Sequence, residues 1–319
     1  MRSRVADSLY WMSRYLERAE HTARLLDVQL NLMLEQAPDA SGARWLRLLR
    51  SLNIKTAVDA ASVHDIPRAL TLDAADNASI VSWITAARDN ARQVREQISS
   101  EMWEQLNELY LDVLRARTDN RWQAEPHQFS RAVKQGAHLF QGITDSTMTH
   151  GEGWQFIQLG RYLERMNATA ILLDAHFAAF PGDPSREILA SEYLEWLGLL
   201  KSCTAFEAYC KVYTADLRPD RIAEFLLLHA DFPRSVRFAA ETVQSCLSAI
   251  ADFTQTSKSG KANRLAGRLR AALSFDQIDE IIGDDLHRYV DDVQRQGAQI
   301  HSAIYQLYVS YPIESAIAS

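Results

Sequence analysis

Residues 14–27 read RYLERAEHTARLLD, and residues 161–174 read RYLERMNATAILLD. Arg, Tyr, Leu, Glu, Arg, Thr, Ala, Leu, Leu and Asp recur in place at an offset of 147 residues. Agreement that dense within one chain marks an internal duplication. Taken as a helix, the first copy carries Leu9, Met12, Leu16, Ala19, Ala23, Leu26, Leu30 and Met33 at alternating steps of three and four. The second copy carries Phe156, Leu159, Leu163, Met166, Ala170, Leu173, Phe177 and Phe180 in the same register. Such a stripe belongs to a helix that packs along its whole length against other helices. Gly160 is the one glycine or proline inside either stripe.

The charges sit away from the stripe. At about 100° per residue, Arg14 and Arg18 lie nearly opposite Leu16, with Glu17 to one side. Arg161, Arg165 and Glu164 take the same places about Leu163. A face in open water would be polar throughout, yet Trp11, Tyr15 and Leu25 share it in the first copy, and Tyr162 and Leu172 in the second. Apolar residues on several faces mark a central helix. The sequence therefore predicts that two arginines and one glutamate per copy are at least partly buried, which is tolerated only when they are paired.

Arg14 can reach Glu17 within a helix, and Glu17 can reach His21. Duplicated units also tend to pack about a pseudo-twofold axis. Glu17 then meets Arg161 or Arg165, and Glu164 meets Arg14 or Arg18. Arginine suits this task because its planar fork grips a carboxylate through two bonds. The candidate cluster is Arg14, Glu17, Arg18, Arg161, Glu164 and Arg165, with Trp11, Tyr15, His21 and Tyr162 as neighbours. Four guanidinium groups against two carboxylates leave an excess of positive charge, suited to a phosphate or a carboxylate. A structural ion-pair network is the first explanation of these residues, and an anion site the second.

The segments SRVADSLYWMSRYLERAEHTARLLD and GWQFIQLGRYLERMNATAILLD, with ARQVREQISSEMW at 91–103, resemble the alpha-E family. Glu17–Arg18 and Glu164–Arg165 are the Glu-Arg pairs that name it. Glu20 and His21 have no counterpart in the second copy, where Asn167 and Ala168 stand. The resemblance implies an all-helical bacterial domain, usually present as a tandem duplication. It also implies a gene context of peptide synthesis or modification. The partners there are a circularly permuted ATP-grasp protein, a transglutaminase-like protein and a proteasome-related peptidase. That is an association and not a mechanism.

With 319 residues, 47% of them hydrophobic, the chain can build a large core. A net charge of −7 argues against nucleic acid as a main partner. No apolar run approaches the roughly 20 residues that span a bilayer. The N-terminus lacks the apolar core of a signal peptide. Cys203, Cys210 and Cys246 cannot all pair, and free thiols suit the cytoplasm. Cys203 and Cys210 are expected on one helix face.

Prolines fall at plausible breaks, and three-four spacing dominates between them. The expected helices include Ser3 to about Glu35, Arg44 to Ser62, His127 to Asp145, Glu187 to Tyr213 and Ile278 to Tyr308. Ser79 to Leu114 is one long helix or two broken near Ser99–Ser100. A carboxylate-bridged metal site would need Glu-x-x-His on two helices. Neither repeated helix has it, so no metal and no cofactor is expected.

The expected fold is all-α, a multi-helix bundle of two duplicated, intertwined halves. Residues 1–125 form the first repeat and 126–319 the second, in one compact unit. The leading functional expectation is a non-catalytic or accessory component of an ATP-grasp and transglutaminase-like peptide system, binding a peptide, an anionic ligand or the ligase. The alternative is an enzyme with Glu17 or Glu164 as general base beside an arginine-held anion. A structural scaffold is the third.

Overall fold

The computed structural model describes residues 1–35, 41–54, 65–73, 78–119, 121–255 and 260–309. Among them are fifteen α-helices and no strand. α1 (Ser3–Glu35) and α8 (Glu152–Ala179) carry the repeated stretch and lie at the centre. Their stripes are buried from Leu9 to Leu26 and from Phe156 to Phe177. Leu25 and Leu172 on the far faces are buried too, and Trp11, Tyr15 and Tyr162 pack part-buried against the core.

The remaining helices sort by which central helix they touch. α2 (Ser41–Ser51) packs on α8, while α3 (Ile66–Leu72) leads into α4 (Ile80–Gln93), which lies along α1. α5 (Ser100–Thr118) connects α4 to α7 (Pro126–Thr147) past the single turn α6 (Arg121–Ala124), and α7 returns to α1. α9 (Tyr193–Ser202) packs on α1, followed by α10 (Phe206–Tyr213) and α11 (Pro219–Leu228). α12 (Val236–Thr254) lies along α8 and touches α13 (Lys261–Phe275). α14 (Ile278–Asp284) leads to α15 (Leu286–Ile304), which packs on both α13 and α8. The relations α1–α4–α5–α7 and α8–α12–α13–α15 are alike, and α2 and α9 each cross to the other group's central helix.

Local chemistry repeats as well. Ser79 caps α4, its Oγ accepting from Ser82 N at 3.1 Å and donating to Asp73 O. Ser235 caps α12, its Oγ accepting from Phe238 N at 3.0 Å and donating to His229 O. Such caps are each worth about 1 kcal/mol.

Several helices end earlier than three-four spacing predicts. Ser79–Leu114 takes the second of its two expected forms, two helices, with Ser99 capping the new one by accepting from Met102 N. Residues 187–192 are not helical, and the helix expected to run from Glu187 to Tyr213 breaks again at Cys203–Ala205, where Thr204 has φ 51°. Cys203 therefore ends α9 while Cys210 lies in α10, with Cys203 and Cys246 buried and Cys210 partly so. Asp285 divides the last segment by accepting from His287 N and Arg288 N. The far end of the helix expected over Arg44–Ser62 lies outside the described residues, and α2 ends at Ser51. No helix among the described residues is long and apolar enough to cross a membrane.

α1 and α8 approach closely at Gly160. A Cβ there would lie 2.4 Å from Tyr10 O and 2.3 Å from Ser13 Oγ. The backbone oxygen of Tyr10 cannot move without bending α1. Gly160→Ala should therefore destabilise the fold by about 1–3 kcal/mol, and Gly160→Val by more. Urea unfolding measures both, and unchanged midpoints would show that the central helices separate freely.

Candidate functional site

The seam between α1 and α8 holds the repeated charges, and each carboxylate reaches the opposite helix. Arg165 grips Glu17 with both teeth of its fork, Nε to Oε1 at 2.7 Å and Nη2 to Oε2 at 2.9 Å. Arg18 does the same to Glu164, Nε to Oε1 at 2.6 Å and Nη2 to Oε2 at 3.1 Å. Arg14 Nε adds a third bond to Glu164 Oε2 at 2.7 Å. The intrahelical pairs Arg14–Glu17 and Glu17–His21 do not form. Arg161, the remaining member of the cluster, has no carboxylate within 4.0 Å among the described residues and lies against Tyr162.

The two ends of the seam differ. Around Glu17 it is closed: the side chain is 1% exposed, and Gln141 Nε2 donates to Oε2 at 3.2 Å. Arg234, just before α12, points into this end and donates to Glu20 Oε2 at 2.8 Å. Glu20 is fully buried and also pairs with Arg24. Around Glu164 the seam opens. Arg14, Arg18, Glu164, His21, Trp83 and Ile171 help to line a cleft of about 700 Å³. The Arg18 side chain keeps 30% of its exposure there. Arg295 and Asp291 on α15 also line it and pair at 3.1 Å. Arg295 also pairs with Asp292, so the one positive charge left in the cleft is that of Arg14 and Arg18 against Glu164.

Burial pushes the Glu17 carboxyl up, but Arg165 and Arg234 outweigh it and hold the group well below the usual carboxylate range. Burial likewise raises Glu164, and Arg14 and Arg18 more than reverse it. His21 titrates at about 4, because burial and then the nearby Arg234 disfavour the imidazolium. His301 is lowered to about 4 by burial and Arg14. Its Nδ1 lies 3.1 Å from Arg14 Nη1, which can only donate, so Nδ1 accepts. The Tyr10 hydroxyl then accepts from Arg14 at 3.1 Å and donates to the same Nδ1 at 2.8 Å. Trp11 covers the Arg14 guanidinium at 4.7 Å. Both glutamates are held ionised by their arginines, which makes each a weak base, and Glu17 is sealed as well.

Sequence reasoning places the six cluster residues on one seam but does not find Glu20, Arg24, Arg234, Tyr10 or His301 as their partners. Tyr15 and Tyr162 flank the arginines, at 5.8 Å from Arg18 and 5.1 Å from Arg165. Arg234 carries a weak signal, between Pro233 and the helix-capping Ser235. Nothing local says that its side chain turns inward.

A family model described as "Alpha-E: A predicted alpha-helical domain with a conserved ER motif" matches residues 1–309. An uncharacterized protein of Mycobacterium bovis is 23% identical over 325 residues, covering 94% of this chain and 35% of that protein. Two uncharacterized proteins of Mycobacterium tuberculosis match with the same identity and coverage. The chain thus spans about a third of the length of these relatives, at the 35% stated. No solved structure matches it.

Two outcomes follow from the electrostatics. Glu17→Gln leaves Arg165 buried without its counter-ion and should cost about 3–5 kcal/mol. Glu164→Gln should cost less, because Arg18 turns toward the cleft; equal losses in urea unfolding would contradict the open and closed ends. Stability should also fall with acidity. His21 is held near 4 against 6.5 when unfolded, so the unfolded chain binds its proton first and stability is lost as pH drops through that window. The lowered Glu17 and Glu164 act in the same direction below about pH 4.5, the ordinary value for the group. Between about pH 7 and about pH 5, His21→Ala should lose less stability than the parent chain. An equal loss would show that His21 is not held neutral.

Proposed function

We propose that this chain, which belongs to the Alpha-E family, is an accessory ligand-binding component of an ATP-grasp-dependent system that makes or modifies peptides. In this proposal its partners are a circularly permuted ATP-grasp protein and a transglutaminase-like protein, its setting is the cytoplasm, and its ligand carries an anionic group. One observation carries the anion reading. Arg14 and Arg18 reach a cleft of about 700 Å³ together, with a single carboxylate, Glu164, between them. Two guanidinium groups on one carboxylate retain positive charge and free N–H donors. Arginine is the side chain best shaped to hand both to an incoming carboxylate or phosphate.

Binding is favoured over turnover because a carboxylate clamped by two arginines is a poor base at neutral pH. It is favoured over a pure scaffold because a strut needs no opening, and the Glu17 end has the closed form that a strut would take. The likeness of α1–α4–α5–α7 to α8–α12–α13–α15 supports two repeats. On that view α7 belongs with the first, and the boundary falls near residue 148 and not at 125.

Arg18→Gln tests the anion site. It removes the exposed guanidinium while Glu164 keeps Arg14, so folding should hold. Titration with acetate and with inorganic phosphate at low salt should show saturable binding to the parent chain and a loss of about tenfold or more in the variant. Binding that is absent from the parent, or equal in both, would refute the site. An accessory role further requires that the chain co-purify with the ATP-grasp protein and turn over nothing alone.

A further inference from the structure

The cleft and the closed end of the seam are built from corresponding residues, and the comparison says what the cleft lacks. At the offset of 147 residues, Thr22 corresponds to Thr169 and Asn167 to Glu20. At the offset of 156 that relates the capping serines Ser79 and Ser235, Ala78 corresponds to Arg234. At the closed end these positions satisfy one another. Thr169 Oγ1 donates to the Arg234 carbonyl at 2.9 Å, and the Arg234 guanidinium donates to Glu20 at 2.8 Å. One arginine residue thus presents an acceptor to the threonine and a donor to the acid.

At the open end the same positions are unsatisfied. Thr22, Ala78 and Asn167 all line the cleft. Thr22 Oγ1 and Asn167 Oδ1 are both closed off from solvent and have no hydrogen-bond partner among the described residues. Thr22 is fully buried, and His21 beside it, 7% exposed, has Nε2 in the same condition. Gly297 of α15 leaves room for the Asn167 amide, since a Cβ there would lie 2.3 Å from Oδ1. Alanine at 78 supplies no side chain to fill the place that Arg234 fills opposite. Buried polar atoms without partners are uncommon and cost stability, so a site that keeps Thr22 Oγ1 and Asn167 Oδ1 unpaired invites a group that pairs them.

Building on the anion site, we infer that the ligand is a peptide with a free carboxylate, whose amide takes the place that Arg234 occupies at the closed end. On binding, the Thr22 and Asn167 side chains, covered in the free protein, turn to the cleft: the amide oxygen accepts from Thr22 Oγ1, the amide N–H donates to Asn167 Oδ1, and the carboxylate lies on Arg14 and Arg18. The charges select an amide over a second cation. Replacing the Glu20–Arg234 pair by Asn167 and Ala78 removes one charge of each sign, so the missing group is neutral. They also select a carboxylate over a polyphosphate, because the cleft lining has one positive charge to offer.

The test is equilibrium dialysis against a mixture of N-acetyl dipeptides with free carboxylates, their C-terminal amides, acetate and inorganic phosphate. Dipeptide acids should bind about tenfold or more tighter than acetate or phosphate, and the amides should fail. Thr22→Val exchanges an unpartnered hydroxyl for a methyl of similar size. It should fold normally, keep acetate and lose most of the dipeptide affinity. The double variant Ala78→Arg, Asn167→Glu rebuilds the closed end's plug; it should keep or raise the unfolding midpoint and reject the dipeptides. If acetate binds as tightly as the dipeptides, or Thr22→Val binds them like the parent chain, the peptide inference fails and the anion site stands. If phosphate binds tighter than the dipeptide acids, the peptide inference fails. If nothing binds, both fail.

Discussion

The structure depends on two arginine forks that cross between α1 and α8 in opposite directions, Arg165 onto Glu17 and Arg18 onto Glu164. Apolar stripes drive the helices together, but a heptad stripe is indifferent to a slip of one repeat. A buried carboxylate is not indifferent, because a slip would strand it in a medium where an unpaired charge costs several kcal/mol. Gly160 sharpens the constraint by letting the backbones approach where the stripes cross. Packing brings the helices together, charge sets their register, and the outer helices then have fixed surfaces to cover.

The same residues serve two ends differently. Where Arg234 and Glu20 are present the seam is closed, and every carboxylate oxygen of Glu17 and Glu20 has a donor, although Arg24 Nε is left unpaired. Where Ala78 and Asn167 replace them the seam gapes and polar atoms go unpaired. Stability alone would favour two closed ends. One end closed and one open divides strut and receptor between two nearly identical pieces of chain. The crossing of α2 to α8 and of α9 to α1 locks the ends together.

Much of this is legible in the sequence because the signals are periodic. Leu9 to Met33 and Phe156 to Phe180 announce two buried helices, and Trp11, Tyr15 and Tyr162 betray a second buried face. The cross-helix pairing of Glu17 and Glu164 follows from burial plus repetition. Which arginine each takes does not: Glu17 takes Arg165 and leaves Arg161, while Glu164 takes both Arg14 and Arg18. The breaks at Cys203–Ala205 and Asp285 are equally hidden. The first contains no glycine or proline, and at the second only Gly283, two residues before Asp285, hints at the break. The cleft is the least visible feature, because it arises from a small residue at 78 that looks unremarkable until Arg234 is set beside it.

The forks also bear on how the chain is born. Glu17 and Arg165 lie 148 residues apart. At roughly 5–20 residues per second, a ribosome finishes α1 about 7–30 seconds before the matching stretch of α8 is made. During that interval an apolar helix stands without its partner, the condition that ordinarily leads to aggregation. Its own Arg14, Glu17, Arg18 and Glu20 are hydrated then and keep it in solution, and they surrender their water only when the matching charges arrive. The charges that hold the finished molecule in register are also the nascent helix's guard.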